Sequence, residues 1–248
     1  GYWRPVARPQ RTRTVACLCP KPPTDEAESF VDYYQGFLRG LQDRLTAERH
    51  HLLLASAEPG RARIEDLCSR VDGVVSLNPI PETILDGVTV SVPTVLLNWH
   101  ADGRGLDAVT VDEEASIRAA VAHIAAAGHR RIAFLGHEPL GYHHCLRWEA
   151  FQKAMRLGGL TWQHDPLLFP RTVDHTYVEM DRLAGEVLAG LARRADRPTA
   201  LVCPADRWAL AVLNAAPQAG LQVPGELSVV GFDCIPASVY ASPRLSSI

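Results

Sequence analysis

Short apolar runs recur along this chain, each followed by a stretch of helical periodicity. That alternation constrains the fold more than any other feature. The runs fall at 14–19, 52–56, 73–77, 94–97, 108–111, 131–135, 167–169, 200–203 and 227–231. Most are continuously apolar rather than alternating, as expected of strands buried on both faces of a parallel sheet. Between them, Tyr34, Phe37, Leu38, Leu41 and Leu45 form one helical stripe, and Ile117, Ala120, Val121 and Ile124 form a second. Trp148, Phe151 and Met155 mark a third, Met180 to Leu191 a fourth, and Ala209 to Leu213 a fifth. Asp112 suits an N-cap, Glu113 and Glu114 suit the positive start of the second helix, and Gly128 suits its C′ position. Asp206 reads as the N-cap of the fifth helix, which Pro217 should end early or kink.

Repeated βα units imply doubly wound α/β architecture. The pattern restarts after Gly128, so two sheets of about five strands fit better than one of nine. The absence of a long linker suggests two lobes, strands crossing between them, and a central ligand cleft. In 248 residues, 47% apolar and 21% charged, each lobe has material for its own core. No apolar run approaches the ~18–20 residues of a membrane span.

The net charge is −3, to which the residues before Asp25 contribute +5 and the remainder −8. A basic arm over residues 1–13 therefore precedes an acidic body. Nucleic-acid contact, if any, is expected at or before that arm. No secretory h-region opens the chain. Of the six cysteines, Cys17, Cys19 and Cys203 sit inside apolar runs, as small buried hydrophobes do. Free thiols in a cytoplasmic protein are expected rather than bridges.

In open parallel sheets, ligands bind beyond the carboxyl ends of the strands. That rule selects Asn78, the Asn98-Trp99-His100 stretch, residues 137–147, Asp206 and Asp233. Carboxylates, a guanidinium and an indole suit a sugar, whose hydroxyls take bidentate partners and whose apolar face takes a flat ring. His143, His144 and Cys145 share one loop, but adjacent histidines rarely reach one ion, so no metal is expected. The chain lacks GxGxxG after its first strand, GxxxxGK[ST], HExxH and GxSxG. Neither catalysis nor a cofactor is expected.

Several stretches together resemble the LacI/GalR family of transcription regulators. Pro198-Thr199-Ala200-Leu201-Val202-Cys203, Asp206 and Ala209-Leu210 follow the family's PTAIFCANDxMALG. Ala219 to Pro224 and Leu227 to Asp233 follow AGLxVPxDVSVVGFDD, and 242–248 its closing stretch. Val109-Thr110-Val111-Asp112 and His123 to Gly136 are similar to VxVDNxxG…HLxxxGHRRIAFLG. Arg147 with Phe151 matches RxxGF, Val71 to Val75 the DGVI strand, and Gly1-Tyr2 with Pro5 and Arg8 the GYxPNxxAR segment after the family's hinge helix.

The resemblance implies a fold like type I periplasmic binding proteins. Its first lobe would comprise 14–129 plus 238–248, and its second 130–237. It implies a homodimer, with the Tyr34–Leu45 helix as a candidate dimer surface, and operator DNA bound through an N-terminal helix-turn-helix outside this chain. It also implies a small-molecule effector, a carbohydrate being the expected class. Arg147, Asp233 and Asp206 match effector-contacting positions; Tyr177, Trp99 and Phe30 are the candidate aromatic platforms. Three positions depart from the pattern: Ala205 replaces the asparagine of AND, Cys234 the second aspartate of GFDD, and Ala150 the glycine of RxxGF. An Arg147→Ala change is expected to abolish effector binding and leave the fold intact. The alternative is a secreted sugar-binding protein of the same fold.

Overall fold

The computed structural model describes residues 12–19, 27–57, 61–138, 141–160, 162, 164–172 and 176–248, without the side chains of 27–33 and 61–62. The strands are β1 (Thr14–Cys19), β2 (His51–Ser56), β3 (Gly73–Leu77), β4 (Thr94–Leu97), β5 (Asp107–Val109), β6 (Ile132–Phe134), β7 (Ala200–Val202), β8 (Ser228–Gly231) and β9 (Ser246–Ser247). The helices are α1 (Ala27–Ala47), α2 (Arg61–Arg70), α3 (Glu82–Ser91), α4 (Glu113–Ala126), α5 (Tyr142–Leu157), α6 (Tyr177–Ala192), α7 (Asp206–Ala215) and α8 (Pro236–Tyr240).

Every described strand pairing is parallel, in two sheets of order β2-β1-β3-β4-β5 and β6-β7-β8-β9. The continuous apolar runs occupy the middle of each sheet. Ala16, Cys17 and Leu18 of β1 and all three residues of β7 are fully buried, whereas edge strands β2 and β5 are largely exposed. That contrast follows from position, since an edge strand has a neighbour on one side only.

The described residues divide into two units, one with β1 and Tyr34–Val111, the other with residues 27–33 of α1 and Asp112–Ile248. The division falls before α4, not near residue 129. The α4 stripe of Ile117, Ala120, Val121 and Ile124 joins the core built on Phe134, Phe151, Leu188, Val202 and Trp208, and α4 packs on α5 and β7. Residues 238–248 likewise stay with the second unit, because β9 pairs with β8 through Val230–Ser246 and Gly231–Ser247. Of the basic arm, residues 1–11 lie outside those described.

The run at 167–169 is not a strand. Asp165 accepts the Leu167 N–H at 3.1 Å and Pro166 fixes the first position of a 3-10 turn over Pro166–Leu168. An isolated bridge between Glu138 and Arg171 is the sheet-like pairing found there. Conversely, two serines form β9, too short and too polar for apolar periodicity to detect.

Caps set the length of α4. Asp112 Oδ1 accepts the Ala115 N–H at 2.9 Å, and Gly128 takes φ +97° just past the end. Asp112→Ala should cost about 1 kcal/mol of stability, read from denaturant unfolding. All six cysteines are unbridged. Among the described residues, no helix is long and apolar enough to cross a membrane.

Candidate functional site

Three segments of the second unit converge on Arg147. Tyr142 opens α5, and Arg147 sits in its second turn with a side chain only 2% exposed. Its guanidinium is held before any ligand arrives. Nε donates to Glu113 Oε2 at 2.8 Å and Nη2 to Glu113 Oε1 at 3.4 Å, a forked grip on the carboxylate that opens α4. Nη1 donates to the carbonyl of Pro204, just beyond β7, and lies 3.2 Å from Asp233 Oδ1, just beyond β8. The guanidinium carbon stands 3.6 Å from the centroid of the Phe232 ring. His143 Nδ1 contacts Glu113 Oε1 at 3.1 Å from the same helix as Arg147. One cation therefore meets two carboxylates, with a histidine beside them.

The ionisation of these groups follows from that geometry. Burial pushes Glu113 up, but hydrogen bonds from His143 and Arg147 and the Arg147 charge outweigh it, holding the carboxyl below its ordinary value. Asp233 is driven the other way. Burial pushes it up to about 7, only partly offset by Arg147, while Asp206 and Glu113 add like charge. Its Oδ1 faces Arg147 without the alignment of a hydrogen bond. The Asp233 backbone is held at φ +106° and Cys234 at φ +51°, a conformation unusual for residues with side chains. It is fixed by Asp233 N–H donating to Ile248 O and Cys234 N–H to Ser247 Oγ, each at 2.9 Å.

A carboxyl whose folded pKa is raised stabilises the fold below its unfolded value and loses that contribution as pH rises through the folded one. Stability should therefore decline from about pH 4 to about pH 7 through Asp233, with a slope of up to ~1.4 kcal/mol per pH unit. Glu113, held low, acts oppositely: its contribution is present above its unfolded value and lost in stronger acid. Urea unfolding at pH 5 and pH 8 should show the wild type weaker at pH 8. Asp233→Asn should flatten that difference, and an unchanged difference would disprove the assignment.

Asp206 is not the N-cap of α7: Ala205 holds that position without a side-chain bond, and Asp206 is the first helical residue. Its carboxylate is fully buried. Oδ2 accepts from the Ile235 N–H at 2.9 Å and from Ser238 Oγ, and Oδ1 accepts from Ser247 Oγ at 2.6 Å. Burial raises its pKa and these three bonds oppose the rise. The side chain pins α8 and β9, a structural role that the matched effector position did not predict.

Trp99 belongs to the first unit, is 6% exposed, and donates Nε1 to the Ser76 carbonyl at 3.0 Å, so it packs as a core indole. Tyr177 opens α6 in the second unit, 37% exposed, with the Arg207 guanidinium 4.7 Å over its ring. Phe30 lies in α1, and its side chain is outside the described residues. Within the second unit, Arg147 and Asp233 are brought together at 3.2 Å.

Sequence reasoning missed Glu113 as a partner of Arg147, treating it only as a helix-start acid. The signal was present, because Glu113 stands where the VxVDNxxG pattern carries asparagine. It also missed a buried aromatic pair. His137, following β6, stacks on Trp208 of α7 at 5.7 Å and 13° and meets His144 edge-on at 4.7 Å. In the first unit, Asn78 and Asn98 end β3 and β4 at φ +66° and +68°, and Asn98 Nδ2 donates to Asn78 Oδ1 at 2.7 Å.

The family described as a periplasmic binding protein-like domain matches residues 121–248. Catabolite control protein A of Priestia megaterium is 26% identical over 96% of this chain and 70% of that protein. The HTH-type transcriptional repressor PurR of Aliivibrio fischeri is 27% identical over 96% of this chain and 69% of that protein. Among solved structures, the transcriptional regulator CelR in complex with cellobiose superposes with a TM-score of 0.76 at 25% identity, covering 99% of this chain and 74% of that one.

Proposed function

The chain belongs to the periplasmic binding protein-like domain family, in the form with which LacI-family transcription regulators bind effectors, and on that premise we propose that it senses a small neutral sugar. The observation that carries this reading is the pairing of Arg147 with Asp233 beyond the carboxyl end of β8. Arg147 is already neutralised by Glu113 and Asp233, so the cluster has no spare positive charge for an anionic ligand. Asp233, its oxygen facing Arg147 without an aligned bond, is the group with capacity left to accept from a sugar hydroxyl. The cellobiose complex of CelR supports the ligand class.

A ligand alters regulation only through different affinities for two states of the protein. A switch from 1:99 to 99:1 needs ~5.5 kcal/mol of difference. Charge-assisted hydrogen bonds at ~1.5–3 kcal/mol each supply much of it. In this reading the protein acts as a homodimer, with α1 as the candidate dimer surface, and operator DNA is read by a helix-turn-helix outside residues 1–248. The curated relatives are transcription regulators, which favours this reading over a secreted sugar-binding protein.

Calorimetric titration with cellobiose, glucose and their phosphate esters tests the proposal. A neutral sugar should bind saturably and its phosphate ester more weakly. At pH 8, where Asp233 is ionised, Asp233→Asn should lower the affinity at least ~10-fold, the equivalent of one hydrogen bond to a charged acceptor. Preference for the phosphate ester, or no saturable binding of any neutral sugar across a wider panel, would overturn it.

A further inference from the structure

Two thiols lie on β1, in the first unit. In a strand, residues two apart point to the same face, and Cys17 and Cys19 bring their Sγ atoms to 3.8 Å. Cys17 lies on the central strand of its sheet, fully buried, whereas Cys19 ends the strand half-buried. Neither is bridged.

The two sulfurs are chemically unequal. The contact with Cys19 and burial both push Cys17 far up, so it keeps its proton. That same contact holds Cys19 below the ordinary thiol range, with burial opposing. A thiolate is the nucleophilic form of cysteine, so the more accessible sulfur is also the more reactive one. A protonated partner waits at contact distance behind it.

We propose that Cys17 and Cys19 form a hydroperoxide-oxidisable dithiol, Cys19 reacting first and Cys17 resolving it. The Cys19 thiolate attacks one oxygen of hydrogen peroxide. The O–O bond breaks, a sulfenic acid forms on Cys19, and hydroxide leaves and takes up from solvent the proton that Cys19 released, giving water. The Cys17 sulfur then attacks the Cys19 sulfur, the S–S bond forms, the S–O bond breaks, and the departing oxygen takes the Cys17 proton as a second water. The two thiols lose two electrons and the peroxide gains them.

Same-face Cβ atoms in a strand stand roughly 6–7 Å apart, against ~3.5–4.5 Å across a disulfide, so closure requires β1 to bend locally. Residues two apart in a strand have Cα atoms about 6.6 Å apart, inside but near the upper end of the ~4.4–6.8 Å seen across disulfides. Closing the sulfurs from 3.8 Å to about 2.05 Å pulls on the backbone at Leu18, which pairs with Ala55 and Ser76. The bridge is therefore expected to reopen with a dithiol reductant.

Peroxide titration of the reduced chain, alkylation of remaining thiols and peptide mass mapping test this. The peptide spanning Cys17 and Cys19 should lose two hydrogens, reversibly with dithiothreitol, before the exposed Cys234 is consumed. Cys17→Ala, which leaves no buried hydroxyl, should stop at a Cys19 sulfenic acid trapped by dimedone. Cys19→Ser should leave Cys17 reduced at the same peroxide dose. Free Cys17 and Cys19 after full oxidation of Cys234, a Cys19–Cys234 bridge, or undiminished oxidation of Cys17 in Cys19→Ser would each overturn the proposal.

Discussion

Arg147→Ala should destabilise the second unit by about 3–5 kcal/mol, because it removes one partner from a buried ion pair. Glu113, with its side chain 9% exposed, loses its two-pronged guanidinium partner, and Asp233, 11% exposed, loses the cation at 3.2 Å. The Pro204 carbonyl loses a donor and the Phe232 ring loses the guanidinium over it. With these contacts, the change is expected to cost the fold as well as effector binding. Denaturant unfolding should show a lower midpoint at unchanged slope. Adding Glu113→Gln should recover part of the loss, since it discharges the stranded carboxylate. A loss under ~1 kcal/mol for Arg147→Ala would mean that water reaches this cluster and screens it. Effector contacts are therefore better probed with Asp233→Asn.

Asp206→Ala is the second large effect, an expected loss of about 3–5 kcal/mol. The carboxylate accepts three bonds, from the Ile235 N–H, Ser238 Oγ and Ser247 Oγ. A buried donor left unsatisfied costs about 1–3 kcal/mol. The damage should be local in a specific way. Ser247 belongs to β9, so amide exchange at Ile248, which donates to the Gly231 carbonyl, should accelerate while β7 stays protected. Equal acceleration in β7 would instead indicate global unfolding. Gly231 closes on the same carboxylate: a Cβ there would fall on Asp206 Oδ1 and lie 3.2 Å from the Ala209 Cβ. Gly231→Ala is expected to weaken the same corner, since neither neighbour can swing away.

The site was half legible from the chain. The carboxyl-end rule picked Arg147, Asp206 and Asp233 from strand positions, and the family pattern picked the same three. Two of them meet in the structure. The third, Asp206, is drawn to Ser238 and Ser247, residues 32 and 41 positions away, a partnership no local pattern could contain. Trp99 shows the same gap: an indole at a strand end can face a ligand or a backbone carbonyl, and here it takes that of Ser76. Glu113 was read through the helix start it occupies. Its pairing with Arg147 spans 34 positions and depends on α4 and α5 lying side by side.

Period and composition alone determined that strands and helices alternate and that the sheets are parallel; the restart of the pattern after Gly128 favoured two of them. Alternation and strand type follow from side-chain spacing and from turn residues a few positions apart, contained in short windows of sequence. Only the tertiary structure decided where one unit stops and the next begins, that Ser246 and Ser247 complete a sheet, and which acid neutralises the buried guanidinium. Each of these depends on which distant segments are brought within a few ångströms, where desolvation makes the identity of the partner decide the energy.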